Sequence, residues 1–499
     1  MKQLTLLFTL CLVLLASCRQ AEVPTQYTDS SQLPKMYPDY VDVTIPINIA
    51  PLSMELCQQA QDVVVRYAAG DEEIVCGGKK AMPAIDEWKD LTSKAAGGDI
   101  TVEVFAKNDD KWTRFKPFAI HVSKDSIDPY ISYRLIAPSY VTYEELTINQ
   151  RCLENYDESV IYNNMLLSVE TDGQCINCHN YQAYNPNRMQ FHARQNHGGT
   201  LVAYDGKVKK VNMKNDSILS AGVYPAWHPW LKLIAYSTNK TMQSFHTRDI
   251  NKIEVLDSQS DLIIYDVDKN EVTNIENDST EFECYPAWSP DGKWLYYVSA
   301  HFEFRDTIPH ETECIMRSKE IKYSIYRKSF NPETMQFGPR EMVFDAASLG
   351  KSATLPRISP DGKYLLFSMG EWGCFHIWHR DADLYMLRLA DNKVWPLTKT
   401  NSPQAESFHN FSSNGKWIIF SSRRNDGDYT RLFFAHVDAD GNTTKAFELP
   451  QEDPDYHRMF MKSYNIPEFM RGPVTIKPQE FADVLRNDNI EPMKYRSKK

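Results

Sequence analysis

Two cysteines and a histidine carry the most specific chemistry in the sequence. Cys175 and Cys178 are separated by two residues, and His179 follows directly. In a C-x-x-C-H run, each thiol can form a thioether with one haem vinyl group, and the adjacent imidazole can bind the iron. The spacing therefore predicts a covalently attached c-type haem. Cys175 and Cys178 would be the attachment points, and His179 would be the metal ligand.

A second axial ligand is expected close to the motif. Three candidate side chains lie within twenty residues of it: Met189, His192 and His197. A methionine ligand raises the reduction potential relative to a histidine ligand. We expect His192 or Met189 in this role. Arg188 and Arg194 lie in the same stretch, and their guanidinium groups fit the carboxylates of haem propionates.

Two other interpretations use the same thiols. In an oxidising compartment Cys175 and Cys178 could form a disulfide beside a solvated His179. Two thiolates and two histidines also make a Cys₂His₂ zinc set, but zinc requires both thiols to stay reduced. The surrounding sequence lacks the pattern of a small helical haem domain. Any haem is therefore expected in a loop.

The N-terminus predicts export and lipid anchoring. Residues 1–17 combine Lys2, an apolar run over residues 4–14, and small residues before Cys18. The apolar run is shorter than the ~20 residues that span a bilayer. Its end resembles a lipobox, which implies that Cys18 is lipidated and holds the mature protein on a membrane. Arg19, rather than Asp, follows Cys18, which favours the periplasm and outer membrane over the inner membrane.

Composition narrows the fold and the partners. The net charge is −11 and no Lys/Arg-rich run occurs, which excludes nucleic acid as a partner. Aromatic residues make up 12% of the chain, and short segments bounded by turn residues are frequent, so a mainly β fold is expected. Among the other cysteines, Cys57 with Cys76 and Cys284 with Cys314 are candidate disulfide pairs outside the cytoplasm.

A repeat dominates the C-terminal half. Tyr-Pro-Ala-Trp-Ser-Pro-Asp-Gly-Lys at residues 285–293 recurs as Leu-Pro-Arg-Ile-Ser-Pro-Asp-Gly-Lys at residues 355–363. Weaker copies begin at Tyr224 and Phe408. Each copy predicts a strand, a turn of the Pro-Asp-Gly type and a second strand. Four-stranded units repeating every 50–70 residues predict a β-propeller, with five to seven blades expected.

These patterns divide the mature chain into five parts. Residues 18–36 are expected to be a flexible tether, and residues 37–125 a β-sandwich-like domain. Residues 126–198 are interpreted as a linking segment that contains the C-x-x-C-H motif. Residues 199–457 are expected to form the propeller, and residues 458–499 a C-terminal extension.

The repeats resemble the TolB-type, WD40-like β-propellers, whose units share a P-x-W-S-P-D-G-K core. The chain as a whole resembles bacterial lipoproteins that combine such a propeller with a C-x-x-C-H motif. This resemblance implies the fold and says little about activity. TolB-type propellers also occur in prolyl-oligopeptidase-like enzymes, but the sequence contains no G-x-S-x-G nucleophile elbow.

Polar loops suggest a binding face. After the second strand of successive blades, Arg-Asp pairs recur where propeller loops share one face, and the candidate partner-binding residues are Arg248, Asp249, Arg305, Asp306, Arg380 and Asp381. Loops on a rigid scaffold commonly carry binding function. The sequence therefore predicts a cell-envelope lipoprotein with a c-type haem, acting in electron transfer or redox sensing, whose propeller docks a protein or glycan. The alternative is a haem-free binding or scaffold lipoprotein with a Cys175–Cys178 disulfide.

Overall fold

The structure is a computed structural model that describes residues 21–137, 145–169, 172–213, 215–305, 307–490 and 492–497. The chain forms two compact units. One contains Met1–Ser126 with Pro450–Met459, and the other contains Ile127–Leu449 with Phe460–Lys499. Cys18 and the predicted signal peptide lie outside the described residues, and so does Asp306. Among the described residues, no helix has the length and apolar character needed to cross a membrane.

The first unit is built from two sheets and a helix. A seven-stranded sheet contains β1 (Thr28–Asp29), β3 (Thr44–Pro46), β5 (Asp62–Ala69), β6 (Glu72–Gly77), β8 (Asp99–Asn108), β9 (Lys111–Arg114) and β10 (Phe118–Ser123). A three-stranded sheet contains β2 (Met36–Tyr37), β4 (Met54–Leu56) and β7 (Lys80–Ala81). Helix α1 (Ile85–Lys94) buries Trp88 edge-on against Tyr67, with ring centroids 5.7 Å apart.

This unit is mainly β, as predicted, and its first strands differ from the predicted tether. Buried and partly exposed residues alternate along β10, which is the two-residue period of a strand with one buried face. Residues 28–37 are not a free linker, because β1 pairs in parallel with β9 and β2 pairs with β4. Backbone pairing of this kind leaves no sign in the polar composition from which a tether was predicted.

The second unit consists of six four-stranded antiparallel blades, and blades 3 and 4 are joined into one sheet by a parallel pair between Ser260 and Phe282. Blade 1 contains β11 (Tyr130–Ile136), β12 (Thr147–Cys152) and β13 (Glu158–Asn163); blade 2 contains β14 (Gln174–Tyr181), β15 (Met189–Gln195), β16 (Gly199–Tyr204) and β17 (Lys207–Val211); blade 3 contains β18 (Val223–Trp227), β19 (Leu233–Phe245), β20 (Ile253–Asp266) and β21 (Glu271–Glu276). Blade 4 contains β22 (Glu281–Trp288), β23 (Trp294–His301), β24 (Ser324–Asn331) and β25 (Gln336–Phe344); blade 5 contains β26 (Ser352–Ile358), β27 (Tyr364–Gly370), β28 (Asp383–Arg388) and β29 (Lys393–Pro396); blade 6 contains β30 (Glu406–Phe411), β31 (Trp417–Ser422), β32 (Arg431–His436) and β33 (Phe447–Glu448).

The C-terminal part of the chain completes the ring. Strand β34 (Ser463–Met470) pairs with β11 and becomes the innermost strand of blade 1, and β35 (Lys494–Tyr495) extends blade 3 beside β21. The remaining helices are α2 (His310–Met316), α3 (Tyr456–Met459) and α4 (Pro478–Arg486), with short 3₁₀ turns at Asn164–Leu166, Gln182–Tyr184, Ser318–Glu320, Ala347–Leu349 and His376–Trp378.

The six inner strands form a closed circle. Each of β14, β18, β22, β26 and β30 contacts the inner strand of the next blade, and β34 contacts both β30 and β14. The second unit is therefore a six-bladed β-propeller closed by strands from both ends of the unit. This confirms the predicted mainly β fold and lies within the expected range of five to seven blades.

Two predicted boundaries differ from the structure. Residues 126–198 are not a linking segment, because they form three strands of blade 1 and the first two strands of blade 2. Residues 458–499 are not merely an extension, because β34 closes the ring. Blades 1 and 2 lack the repeat whose turn is Pro-Asp-Gly in blades 4 and 5 and whose weaker copies lie in blades 3 and 6. In addition, β34 is far from β11 in sequence.

The predicted turns have the expected local chemistry. In blade 4, the Ser289 hydroxyl donates to Asp291 Oδ1 at 2.5 Å and accepts from the Trp294 backbone N–H at 2.9 Å. Gly292 has a φ of 60°, a value that strains residues with a side chain. The turn in blade 5 repeats this arrangement around Gly362, with a φ of 72°.

Candidate functional site

A one-residue bulge interrupts every inner strand at the same place. At this position a residue with a φ between 48° and 57° is followed three residues later by a large apolar side chain. The six bulge residues are Cys178, Tyr224, Tyr285, Leu355, Phe408 and Ile466. Strand register shifts beside each of them, as a β-bulge requires. Their side chains surround a small axial cavity of about 30 Å³.

The bulge gives His179 a structural counterpart in another blade. His409 in blade 6 follows the bulge residue just as His179 does in blade 2. The Nε2 atom of His409 lies 2.7 Å from the Leu355 carbonyl oxygen and 3.2 Å from that of Leu366, both in blade 5. His179 likewise faces backbone groups of the preceding blade. Its imidazole is only 1% exposed, and neither ring nitrogen has a hydrogen-bond partner of normal geometry among the described residues.

Cys175 and Cys178 line a second, much larger cavity. This cavity has a volume of about 810 Å³, and we call it the thiol cavity; its wall includes Cys175, Cys178, Asn177, His192, Arg134 and Arg194. The volume lies within the 300–1,000 Å³ range of small-molecule and cofactor sites. Because residues on strand β14 alternate in direction, Cys175 and Asn177 point to the same side. The bulge brings Cys178 to the cavity as well, and Asn177 Oδ1 accepts a hydrogen bond from its backbone N–H at 2.8 Å.

Burial controls the protonation of the groups near the thiol cavity. Burial raises the pKa of the Cys178 thiol, which keeps it protonated at neutral pH. Burial lowers the pKa of both His179 and His192 to about 3, so both imidazoles are neutral and can act as ligands through nitrogen lone pairs. His192 Nδ1 lies 3.0 Å from the Thr200 hydroxyl, an interaction that orients the ring.

The structure brings together some of the predicted haem residues and separates others. Cys175, Cys178 and His192 share the thiol cavity, whereas His179 lines the axial cavity beside it. Met189 is fully buried in the apolar core between blades 1 and 2 and does not reach the thiol cavity. The motif also lies on a strand and not in a loop. The structure therefore corrects the placement of Met189 and of the motif.

His197 and Arg188 are likewise placed outside the thiol cavity. His197 Nδ1 lies 3.1 Å from an Asp488 carboxylate oxygen. Arg188 pairs with Asp205 at 3.3 Å and donates to the Gln182 side chain. His197 and Arg188 are therefore engaged elsewhere, and Arg194 alone among the predicted propionate partners lines the cavity.

An overhanging hairpin forms another part of the cavity wall. The β19–β20 pair is longer than the other strands of blade 3, and its extension contributes Met242 and Val255 to the cavity. A buried hydrogen bond between Glu254 Oε2 and His379 Nε2, at 2.8 Å, joins this extension to the loop after β27 in blade 5. Both side chains are at most 2% exposed. The hairpin position is therefore fixed by a contact that the sequence pattern did not reveal.

The predicted partner-binding loops are partly tied down. Arg248 and Asp249 lie exposed at the hairpin turn, where Asp249 accepts a bond from the Asn251 backbone N–H at 2.9 Å. Arg305 is exposed and lies 3.9 Å from the Glu320 carboxylate. The Arg380 guanidinium donates to the Pro403 carbonyl at 3.0 Å, and Asp381 accepts from the Glu371 backbone N–H at 2.6 Å. Asp381 therefore fastens its own loop between β27 and β28, whereas Arg380 joins that loop to the one before β30.

The cysteines of the described chain are free thiols. This includes Cys175 and Cys178, and neither candidate pair, Cys57 with Cys76 or Cys284 with Cys314, is joined. Within the described ranges, no three His, Cys, Asp or Glu side chains are grouped closely enough to hold a metal ion. The described residues therefore do not form a ready-made Cys₂His₂ site.

Sequence reasoning missed Arg134 and the repeat around the motif. Arg134 lies on β11 in a segment interpreted as a linker, so its approach to β14 had no local signal. The repeat did leave a signal: Cys178-His-Asn-Tyr has the same spacing as Tyr224-Pro-Ala-Trp, from bulge residue to large aromatic residue. The same spacing occurs at Ile466.

Comparison with known proteins finds similarity to solved structures at low sequence identity. No protein-family model and no curated protein matches the sequence. Similar solved structures include a prolyl endopeptidase, 11% identical over 64% of this chain and 42% of that chain with a TM-score of 0.33. Prolyl oligopeptidase B from Galerina marginata is 10% identical over 79% of this chain and 53% of that chain, with a TM-score of 0.33. An endo-arabinase from Bacteroides thetaiotaomicron is 10% identical over 53% of this chain and 89% of that chain, with a TM-score of 0.22.

The matched region thus spans about half the length of the two peptidases. Because the TM-scores are below 0.5, the propeller assignment rests on the strand order and ring closure described above. The resemblance to TolB-type propellers stays a prediction.

Proposed function

We propose that this protein is a cell-envelope lipoprotein that carries a c-type haem in the thiol cavity and acts in electron transfer or redox sensing. The supporting observation is that Cys175, Cys178 and His192 line one cavity of about 810 Å³. Two thiols that can form thioethers and one neutral imidazole are the donor set that covalent haem requires. A bound haem would supply one-electron chemistry. The envelope location and the anchor at Cys18 depend on the sequence pattern alone.

The chain's own residues would hold the haem from two strands. Each thiol would add across one vinyl double bond, so that no atom leaves. His192 lies on β15 opposite Asn177 of β14, which places its imidazole on the strand next to both thiols. His192 is therefore the residue that would bind the haem iron. His179 fits this role less well, because it faces blade 1 in the manner of His409.

Absorption spectra and intact masses of the protein test this proposal. The protein is expressed in cells that contain haem-maturation machinery, and mass is measured after denaturation. Wild type should show a Soret band and the added mass of one haem, while the double variant Cys175→Ser/Cys178→Ser should show neither. His192→Ala should shift the Soret band, whereas His179→Gln and the core control Met189→Leu should not. A shift caused by His179→Gln alone would contradict the assignment of His192.

The position of His179 supports a second candidate function. If His179 serves only as a contact between blades, the C-x-x-C-H pattern no longer requires a haem to explain its histidine. The protein would then be a haem-free binding or scaffold lipoprotein with a disulfide between Cys175 and Cys178. Labelling of thiols before and after reduction distinguishes the two. A wild-type protein that gains two labelled cysteines on reduction and carries no haem mass would favour this candidate over the first.

The proposal includes docking of a protein or glycan partner on the propeller face that carries the loops of Arg248, Arg305 and Arg380. Arg248 supports this part, because its side chain is exposed and has no ion-pair partner among the described residues. Charge reversal by Arg248→Glu and Arg305→Glu should weaken capture of an envelope partner in a pull-down. Reversal of Lys111 in the first unit serves as the control. Equal capture by wild type, by the variant with Arg248→Glu and Arg305→Glu, and by the Lys111 control would contradict docking at this face.

A further inference from the structure

A buried arginine in the thiol cavity has no acidic partner. Arg134 is 5% exposed and lines the cavity. Its Nη1 donates to the Ile176 carbonyl oxygen at 3.1 Å, whereas its Nε has no hydrogen-bond partner among the described residues. No Asp or Glu of the described chain lies within ion-pair distance of its guanidinium. A buried charge is costly when it is unpaired, so the natural counter-ion of Arg134 is a ligand of the cavity.

The other charges in the cavity wall reinforce this need for an anion. Arg194 also lines the cavity; unlike Arg134 it is exposed to solvent, and it has no ion-pair or hydrogen-bond partner among the residues that the structure describes. The acidic residue in the wall is Asp488, and it is already engaged by Lys210 at 2.8 Å and by His197 at 3.1 Å. Two guanidinium groups therefore remain without an anionic partner from the described chain.

We propose that Arg134 and Arg194 form a carboxylate-binding subsite of the thiol cavity. The planar guanidinium presents paired N–H donors that match the two oxygens of a carboxylate. This inference deepens the proposed function and rests on it for the location of the ligand. The carboxylate has two sources: a propionate of the attached haem, or a separate carboxylate ligand of a haem-free protein.

Thermal unfolding with succinate as the probe tests the subsite. Succinamide at the same concentration, with sodium chloride to match ionic strength, is the neutral control. In the haem-free double variant Cys175→Ser/Cys178→Ser, succinate at tens of millimolar should raise the midpoint by about 2 °C or more over succinamide. Arg134→Met with Arg194→Gln should abolish this difference. Arg188→Gln removes one positive charge outside the cavity and should keep it.

The wild-type protein then identifies the source of the carboxylate. If wild type carries haem and does not respond to succinate, while the Cys175→Ser/Cys178→Ser variant responds, a propionate fills the subsite. If wild type carries no haem and responds, the subsite takes a separate ligand and the haem proposal alone fails. The subsite would be overturned if succinate stabilised neither the Cys175→Ser/Cys178→Ser variant nor a haem-free wild type. It would also be overturned if the Arg134→Met/Arg194→Gln variant kept the full response to succinate. Arg134→Met replaces an unpaired buried charge with an apolar chain, so the variant should fold.

Discussion

Replacement of Glu283 by glutamine should stabilise the propeller at neutral pH. Glu283 lies on the inner strand β22 of blade 4, is 1% exposed, and leaves Oε2 without a hydrogen-bond partner among the described residues. Burial, assisted by the nearby carboxylates of Asp261, Glu276 and Glu281, raises its pKa from 4.5 to about 9. The folded protein therefore binds a proton at Glu283 that the unfolded chain releases.

The sign and size of the effect follow from this difference in pKa. Because the folded state binds the proton more tightly, the contribution of Glu283 to stability is fully present below pH 4.5 and is lost as pH rises toward 9. Each pH unit in this interval lowers the free energy of unfolding by about 1.4 kcal/mol, which amounts to about 3 kcal/mol at pH 7. Glutamine has nearly the same shape and does not titrate. The advantage of Glu283→Gln over wild type should therefore grow with pH.

Urea unfolding at pH 5.5, 7 and 8.5 measures this advantage. The free energy of unfolding of Glu283→Gln should exceed that of wild type by about 1 kcal/mol at pH 5.5 and by about 3 kcal/mol at pH 7. Glu333→Gln removes the same charge from an exposed turn of the same blade and should change stability by less than about 0.5 kcal/mol at each pH. A difference between Glu283→Gln and wild type that does not vary with pH would refute the argument.

Three further substitutions test other parts of the structure. Met189→Ala should lower the free energy of unfolding by about 2–5 kcal/mol in urea titrations, because it leaves a cavity in the core. The haem spectrum of the folded variant should be unchanged. A changed spectrum without loss of stability would show that Met189 is a ligand. Glu254→Ala removes the buried hydrogen bond to His379, a loss of about 1–3 kcal/mol, and should speed hydrogen exchange of amides in the β19–β20 hairpin. Unchanged exchange would mean that other contacts fix the hairpin. Gly362→Ala places a residue with a side chain at a φ of 72°, so it should lower the free energy of unfolding by about 1–2 kcal/mol and lower the melting temperature. Gly472 has no positive φ and no atom near its added Cβ, so Gly472→Ala should leave the melting temperature unchanged. Equal effects of the two substitutions would refute the argument about the turn.

The sequence predicted the parts of the fold that are encoded locally. The turn around Gly292 was predictable because Ser, Pro, Asp and Gly each perform a fixed task within a few residues. Blades 1 and 2 were not, since they lack that turn. Ring closure by β34 was also hidden, because its partner β11 lies more than 300 residues earlier in the chain and pairs through backbone groups.

The candidate site was predictable only in part for the same reason. Cys175, Cys178 and His192 were found from their residue types and short separation. His179 carried two patterns at once, the haem motif and the bulge of an inner strand, and the structure places it as the bulge pattern requires. Arg134 approaches the site from another blade, so its relation to the thiols is a property of the folded ring.

Peptide mass spectrometry of the segment around the motif tests the central claim most directly. The full chain is produced in cells with haem-maturation machinery, together with an authentic c-type cytochrome as a control, and both are digested after denaturation. We predict that the peptide containing Cys175 and Cys178 carries the mass of one haem and no free thiol. A peptide without haem, from cells in which the control cytochrome is fully loaded, would contradict the assignment of this cavity as a haem site.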